Sequence, residues 1–233
     1  MIQFLATALP SVILVYIFYT FDVFPEPKRL VIYTFIFGIF ITFPAAHINT
    51  YAIDYFSNSY EQDPKAIYIF WYNLIPGATV EEILKFLVLF FFCRRLKDFN
   101  EPMDGLVYGS AVALGFAMKE NFQYVYNAHI FYSEWEAIAV LRAFLTVPMH
   151  AFCGIMIGFS ISYYTFIKRN ILIIPIGLIV AITFHALFNV NAGNDLAGFL
   201  VSFQLIIVIA LFRMLRKKQI DKLTIFNKDN FKK

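Results

Sequence analysis

The sequence predicts an all-α fold, a polytopic bundle of transmembrane helices, from its composition and from the length of its apolar segments. Hydrophobic residues make up 60% of the 233 residues and charged residues 15%, whereas an ordinary globular domain is about half apolar and about a quarter charged. The apolar residues are grouped in runs of about 20, the length that a helix needs to cross the hydrocarbon core. One soluble core cannot bury this excess, so we exclude a soluble protein and expect the lipid bilayer, not a nucleic acid, as a partner.

Seven segments are predicted to span the membrane, or eight if the fifth is broken near Pro148. The spans are 3–21, 30–48, 74–93, 104–123, 138–167, 171–191 and 196–214. Residues 1–215 form the predicted transmembrane domain, and residues 216–233 form a predicted basic cytoplasmic tail. The aromatic segment 66–73 is predicted to lie at the membrane interface or to extend the third span.

The positions of lysine and arginine predict the orientation of the bundle. They occur at 28–29, 94–97 and 168–169 and along the tail, whereas Lys65 is the clear cation of the intervening loops. Positive residues stay on the cytoplasmic side. We therefore expect a multi-pass protein of the plasma membrane with its N-terminus outside and its C-terminus in the cytoplasm.

Ionisable residues inside four successive spans call for an explanation, because each costs about 2.5–3.5 kcal/mol on insertion scales. They are the pair Glu81 and Glu82 on the third span, then Glu120, His150 and His185 on the next three. At ~1.5 Å per residue, the pair lies roughly 18 Å and the others roughly 22–26 Å from the cytoplasmic end of a ~30 Å core. The groups therefore share one layer in the outer half of the membrane, which we do not expect of unrelated residues.

The chemistry of this layer predicts a catalytic or ion-binding role. Carboxylates and imidazoles form zinc sites with an open position, in which a further Glu acts as general base. Without metal, the same groups can polarise water and bind an oxyanion. Lys85 follows Glu81 by one turn and is expected to neutralise it, and Asn189 follows His185 by one turn on the same face. A Glu81–Lys85 ion pair that only helps to hold two helices together would explain one of these features. It would not explain four ionisable sites at one depth.

Four motifs follow one another over residues 75–190, most of the membrane domain. They are EEILKF from Glu81, EPMDGLVYGSAVALGFAMKENFQYV from Glu101, RAFLTVPMHAFCGIMIGF from Arg142 and FHALFN from Phe184. Each motif alone is weak, but the four in this order resemble the PrsW family of bacterial intramembrane proteases. That family is similar to the wider CAAX-protease and bacteriocin-immunity superfamily, with motifs EExxxR, FxxxH and HxxxN. Here the first motif reads EExxK, ending at Lys85, and Glu120 stands where the relatives have histidine.

The resemblance implies an intramembrane endopeptidase of the bacterial cell membrane, with residues 1–215 as the protease domain. It implies a substrate that is a single-span membrane protein, such as an anti-sigma factor, cut at an extracytoplasmic site near the membrane. The depth of the ionisable layer agrees with this side of the membrane.

Our preferred hypothesis is a metal-assisted protease in which one Glu of the 81–82 pair is the general base. The predicted ligands of the divalent metal, with zinc preferred, are Glu120, His150 and His185. Asn189 would hold the oxyanion or orient His185. Adjacent helical residues point ~100° apart, so the sequence leaves open whether Glu81 or Glu82 is the base.

Three alternatives remain at this stage. The first is a metal-free glutamate protease, with Glu81 activating water and the histidines stabilising the oxyanion. The second is a proton or metal-ion transporter. A transporter should have polar residues that continue from the layer toward the cytoplasmic face. In this sequence, spans four to six are apolar there apart from small residues. The third is an inactive relative that binds and sequesters membrane partners.

Overall fold

The protein folds as a bundle of α-helices. The computed structural model describes residues 2–59, 77–131 and 135–230, with side chains given for all of these except 56–59 and 222–230. The helices are α1 (Ile2–Thr20), α2 (Lys28–Ser59), α3 (Val80–Phe91), α4 (Asp104–Phe131), α5 (Trp135–Leu141), α6 (Val147–Ser162), α7 (Ile173–Val190) and α8 (Asp195–Asn230). No strand occurs in the described ranges, which confirms the all-α prediction.

Five helical segments of the described chain are long and apolar enough to cross a membrane. They are Ile2–Thr20, Lys28–Tyr55, Trp135–Ile167, Ile173–Val190 and Asp195–Asp221. Large apolar side chains such as Phe144, Tyr16 and Phe199 are exposed on their outer faces, as expected where lipid replaces water. The other two predicted spans correspond to α3 and α4, so the total of seven stays a prediction.

The first half of helix α4 is enclosed by protein, which explains why it is less apolar than the lipid-facing helices. It packs against α1, α2 and α6, and every residue from Asp104 to Ala117 is buried. Glycines allow the closest of these approaches: a Cβ added at Gly109 would overlap the carbonyl oxygen of Gly154 on α6. Small residues at such positions let two membrane helices come into backbone contact.

The fifth predicted span is one continuous helical rod rather than two pieces. Residues Trp135–Ile167 stay helical throughout, and the turns at Arg142–Thr146 widen to π geometry, with the Val147 amide donating to the Arg142 carbonyl. A wide turn accommodates Pro148, which lacks an N–H and would otherwise crowd the preceding turn. The break that would have given an eighth span is therefore absent.

The C-terminal segment continues the last helix without a break. Helix α8 runs to Asn230, past the predicted domain boundary at residue 215, so this boundary and the cytoplasmic location of the tail stay predictions. The predicted interfacial segment 66–73 lies outside the described residues.

Candidate active site

The buried face of α3 places two carboxylates and a lysine in the centre of the bundle. Glu81 is 6% exposed, and Glu82 and Lys85 have no exposed surface. The Lys85 Nζ donates to Glu82 Oε1 at 2.7 Å, and it lies 4.5 Å from the centre of the Phe116 ring. The predicted partner of Lys85 was Glu81, and this is wrong: the i,i+3 geometry of the helix brings its ammonium to Glu82 instead.

His185 on α7 reaches the same carboxylate from the opposite side. Its Nδ1 lies 2.7 Å from Glu82 Oε1, and its Nε2 lies 3.9 Å from Glu81 Oε2. An ionised carboxylate only accepts hydrogen bonds, so Nδ1 carries the proton in a neutral ring. The Nε2 lone pair is then directed toward Glu81, and Glu82 fixes the orientation of a histidine that is ready to act as a ligand or a base.

His150 on α6 joins α3 to α4. Its Nδ1 lies 2.9 Å from Lys85 Nζ, and its Nε2 lies 3.0 Å from Glu120 Oε2. An ammonium has no acceptor, so with Lys85 charged the Nδ1 accepts and Nε2–H donates to Glu120. The rings of His150 and His185 meet edge to face, with centroids 4.8 Å apart.

Arg142 holds Glu120 in place from the π turn that precedes α6. Its Nη2 donates to Glu120 Oε2 at 2.6 Å, and its Nε donates to Asn121 Oδ1 at 2.6 Å. Sequence reasoning did not assign this arginine. The signal was available, because a cation within a predicted span is as unusual as the carboxylates and histidines that were selected.

A possible metal-binding set is present in the described part of the chain. Ligand atoms of Glu81, His150 and His185 all lie within 4.8 Å of one another, and Glu81 Oε2 and Glu82 Oε2 are buried with no hydrogen-bond partner. Two imidazoles and a carboxylate are the ligands of one type of catalytic zinc site, which leaves a fourth position for water. The donor set and the unpartnered oxygens therefore fit a divalent metal. Of the predicted ligands, His150 and His185 belong to this set, whereas Glu120 is paired with Arg142.

A cavity of about 540 Å³ reaches this cluster. Its walls include Glu81, Glu120, His150 and Asn189, together with Phe116. Glu82, in contrast, contacts Lys85 and His185 and has no exposed surface. The structure thus separates the adjacent glutamates: Glu81 faces the cavity, and Glu82 supports the groups around it.

Comparisons with known proteins find one family. A family model described as "PrsW family intramembrane metalloprotease" matches residues 26–215. The chain is 29% identical over 217 residues to "Protease PrsW" of Oceanobacillus iheyensis, covering 90% of this chain and 93% of that protein. It is 32% identical over 151 residues to "Protease PrsW" of Geobacillus kaustophilus, covering 64% of this chain and 61% of that protein.

The corresponding protein of Bacillus subtilis, also named "Protease PrsW", is 28% identical over 183 residues, covering 77% of this chain and 78% of that protein. No solved structure matches the chain.

Proposed function

This chain belongs to the PrsW family of intramembrane proteases, and on that premise we propose that it cleaves a single-span membrane protein at a site near the extracytoplasmic face. The observation that carries the proposal is the convergence of Glu81, Glu120, His150 and His185 from four helices beside a cavity. Such residues are costly inside a membrane and are normally functional. An anti-sigma factor is the substrate type that we expect.

We assign a divalent metal, with zinc preferred, to Glu81, His150 and His185. When bound there, it would polarise the scissile carbonyl and lower the pKa of its water to about 7. His185 is already oriented for this role by Glu82. His150 would have to carry its proton on Nδ1, so that Lys85 no longer donates to this ring and keeps only its bond to Glu82.

Glu120 is the carboxylate that we assign as acceptor of the proton from the attacking water. It lines the cavity, its Oε2 lies 3.0 Å from His150 Nε2, and the same oxygen accepts a hydrogen bond from Arg142 Nη2. Glu81, predicted as a candidate base, moves in this proposal to the ligand set. Asn189 lines the same cavity, and its amide would stabilise the oxyanion.

A metal-free version is favoured by one contact. When Lys85 donates to His150 Nδ1, the His150 Nε2–H is a donor on the side of Glu120, which lines the cavity. In this version Glu81 activates the water and the two histidines stabilise the oxyanion, for which His185 would have to carry a second proton on Nε2. Activity that survives chelation, in protein that contains no metal, would support this version over the metal-assisted one.

Co-expression tests proteolysis directly. The full chain would be produced with single-span membrane proteins that carry tags at both ends, and truncated product would be followed on blots. We expect product from the wild type and from Glu136→Gln, an exposed carboxylate on α5, but not from Glu81→Gln. Full cleavage by Glu81→Gln, Glu120→Gln and His185→Ala would overturn the site assignment.

A further inference from the structure

A second group of buried carboxylates lies at the other end of α4, on the side that the loop charges predict to be cytoplasmic. This acidic cluster consists of Asp22 and Glu26 from the connection between α1 and α2, Glu101 from the turn before α4, and Asp104 from the first turn of α4. All four are more than nine-tenths buried, with exposed fractions between 0% and 7%. Burial of several negatively charged groups together is costly unless hydrogen-bond donors or cations compensate their charge.

The described protein groups compensate the cluster only with neutral donors. The Tyr108 hydroxyl donates to Glu26 Oε2 at 2.6 Å, and the backbone amides of Asn100 and Glu101 donate to Asp104 Oδ2 at 2.6 and 2.8 Å. The amide of Gln219 on α8 donates to Asp22 Oδ1 at 2.8 Å and also to Glu101 Oε1. Among the described side chains, no lysine, arginine or histidine forms an ion pair with these carboxylates.

Oxygen atoms within the cluster are left without partners. Asp22 Oδ2 and Asp104 Oδ1 are buried and accept no hydrogen bond, and the Gln219 side-chain oxygen is in the same condition. One carboxylate oxygen from each of Asp22, Glu101 and Asp104 lies within 4.8 Å of the other two. Converging, unpartnered oxygens on fully buried side chains are the arrangement that a cation completes.

We propose that Asp22, Glu101 and Asp104 bind a hard divalent cation of the Mg²⁺ or Ca²⁺ class. Oxygen donors without nitrogen or sulfur suit these ions and not zinc. The cation would join the α1–α2 connection to the start of α4, and Gln219 would extend this link to α8. The site is separate from the protease centre and does not depend on its assignment.

The experiment measures binding to the full chain purified in detergent and stripped with chelator. Thermal unfolding would be followed during separate titrations with Mg²⁺ and Ca²⁺, and bound Mn²⁺ would be counted by electron paramagnetic resonance. We expect a saturable rise of about 5–10 °C at 100 times the Kd and one bound Mn²⁺ that Mg²⁺ or Ca²⁺ displaces. The ion that displaces Mn²⁺ at lower concentration identifies the preferred member of the class.

Matched variants locate the site. Asp22→Asn and Asp104→Asn should lose the stabilisation and the displaceable Mn²⁺, whereas Asp221→Asn, an exposed carboxylate near Gln219 on α8, and Glu81→Gln should retain both. If Asp104→Asn fails to fold, Asp22→Asn and the wild-type titration decide. No stabilisation and no bound Mn²⁺ in the folded wild type would overturn the proposal, as would an unchanged response in Asp22→Asn.

Discussion

The two ends of α4 carry two kinds of buried polar cluster, and the charges in each differ. The mixed-charge cluster, at the predicted outer end, combines carboxylates with cations and imidazoles: Glu81, Glu82, Lys85, Glu120, Arg142, His150 and His185. The acidic cluster, at the other end, contains carboxylates and neutral donors only. In the first, lysine and arginine side chains pair with two of the three glutamates, whereas the second contains no cationic side chain among the described residues.

The clusters are separated by apolar packing. Asp104 and Glu120 lie ~24 Å apart along α4, at ~1.5 Å per residue. The buried serines Ser110 and Ser160 bond to carbonyls of their own helices, and Ser162 accepts from the Gly105 amide. These three serines therefore give no polar relay between the clusters, which argues against a transporter.

The largest expected effect comes from Gly109→Leu, because α4 supports both clusters. A side chain there meets the Gly154 carbonyl and must push α4 and α6 apart, at a cost above about 3 kcal/mol. We expect a large loss of monodisperse protein in size-exclusion chromatography, and of both cleavage and cation response. Gly198→Leu, at a position with open space within 4 Å, is the control. Normal yield of Gly109→Leu would contradict the close packing.

Next in size is the loss of cleavage in His185→Ala, which damages only the mixed-charge cluster. Removal of a ligand and acid–base group should lower the cleavage rate by roughly 10²–10⁴-fold. The exposed histidine variant His47→Ala should cleave normally. In His185→Ala the thermal response to Mg²⁺ or Ca²⁺ should remain, and its loss would show that the two clusters are not independent.

A smaller effect is expected for Arg142→Gln, which leaves Glu120 without its cation. Loss of such an orienting contact should lower kcat by about 10–100-fold, with KM little changed. Arg142→Lys, which keeps the charge but not the second bond to Asn121, should recover part of this loss. Arg169→Gln, exposed and distant, is the control. A raised KM with kcat unchanged would instead show that Arg142 binds the substrate.

The smallest effect is on the pH dependence of stability, and it arises from the acidic cluster. The pKa of Glu101 is raised to about 8 in the fold and is near 4.3 when unfolded. The folded state therefore binds more protons between these values, and in chelator its stability falls as pH rises from about 5 to 8. We expect the unfolding temperature to drop by a few degrees over this window.

In Glu101→Gln the part of this pH slope that Glu101 contributes should disappear, and saturating Mg²⁺ or Ca²⁺ should flatten the slope of the wild type. Asp221→Asn should behave like the wild type. A slope that is the same in Glu101→Gln and the wild type would contradict the raised pKa.

The sequence predicted more of the mixed-charge cluster than of the acidic one. Span length and residue depth sufficed to predict that Glu81, Glu120, His150 and His185 share a layer, because the rise per residue of a helix is fixed. Rotation of each helix about its axis is not fixed by hydropathy, so the pairing of Lys85 with Glu82 was not predicted.

The acidic cluster was missed for a different physical reason. Asp22, Glu26 and Glu101 lie in connections, where charged residues are ordinary and depth gives no signal. Their burial depends on α8 covering this end of the bundle through Gln219, a contact between residues far apart in the chain. Such long-range contacts follow from the packing of the whole bundle and not from any local pattern.

The metal content of the purified full chain tests the central claim most directly. Elemental analysis of wild-type protein, prepared without chelator, should find about one transition-metal ion per chain, with zinc expected. Glu81→Gln and His185→Ala should lose it, and Glu136→Gln should keep it. Wild-type protein that cleaves its substrate and contains no such metal would contradict the assignment of Glu81, His150 and His185 as ligands.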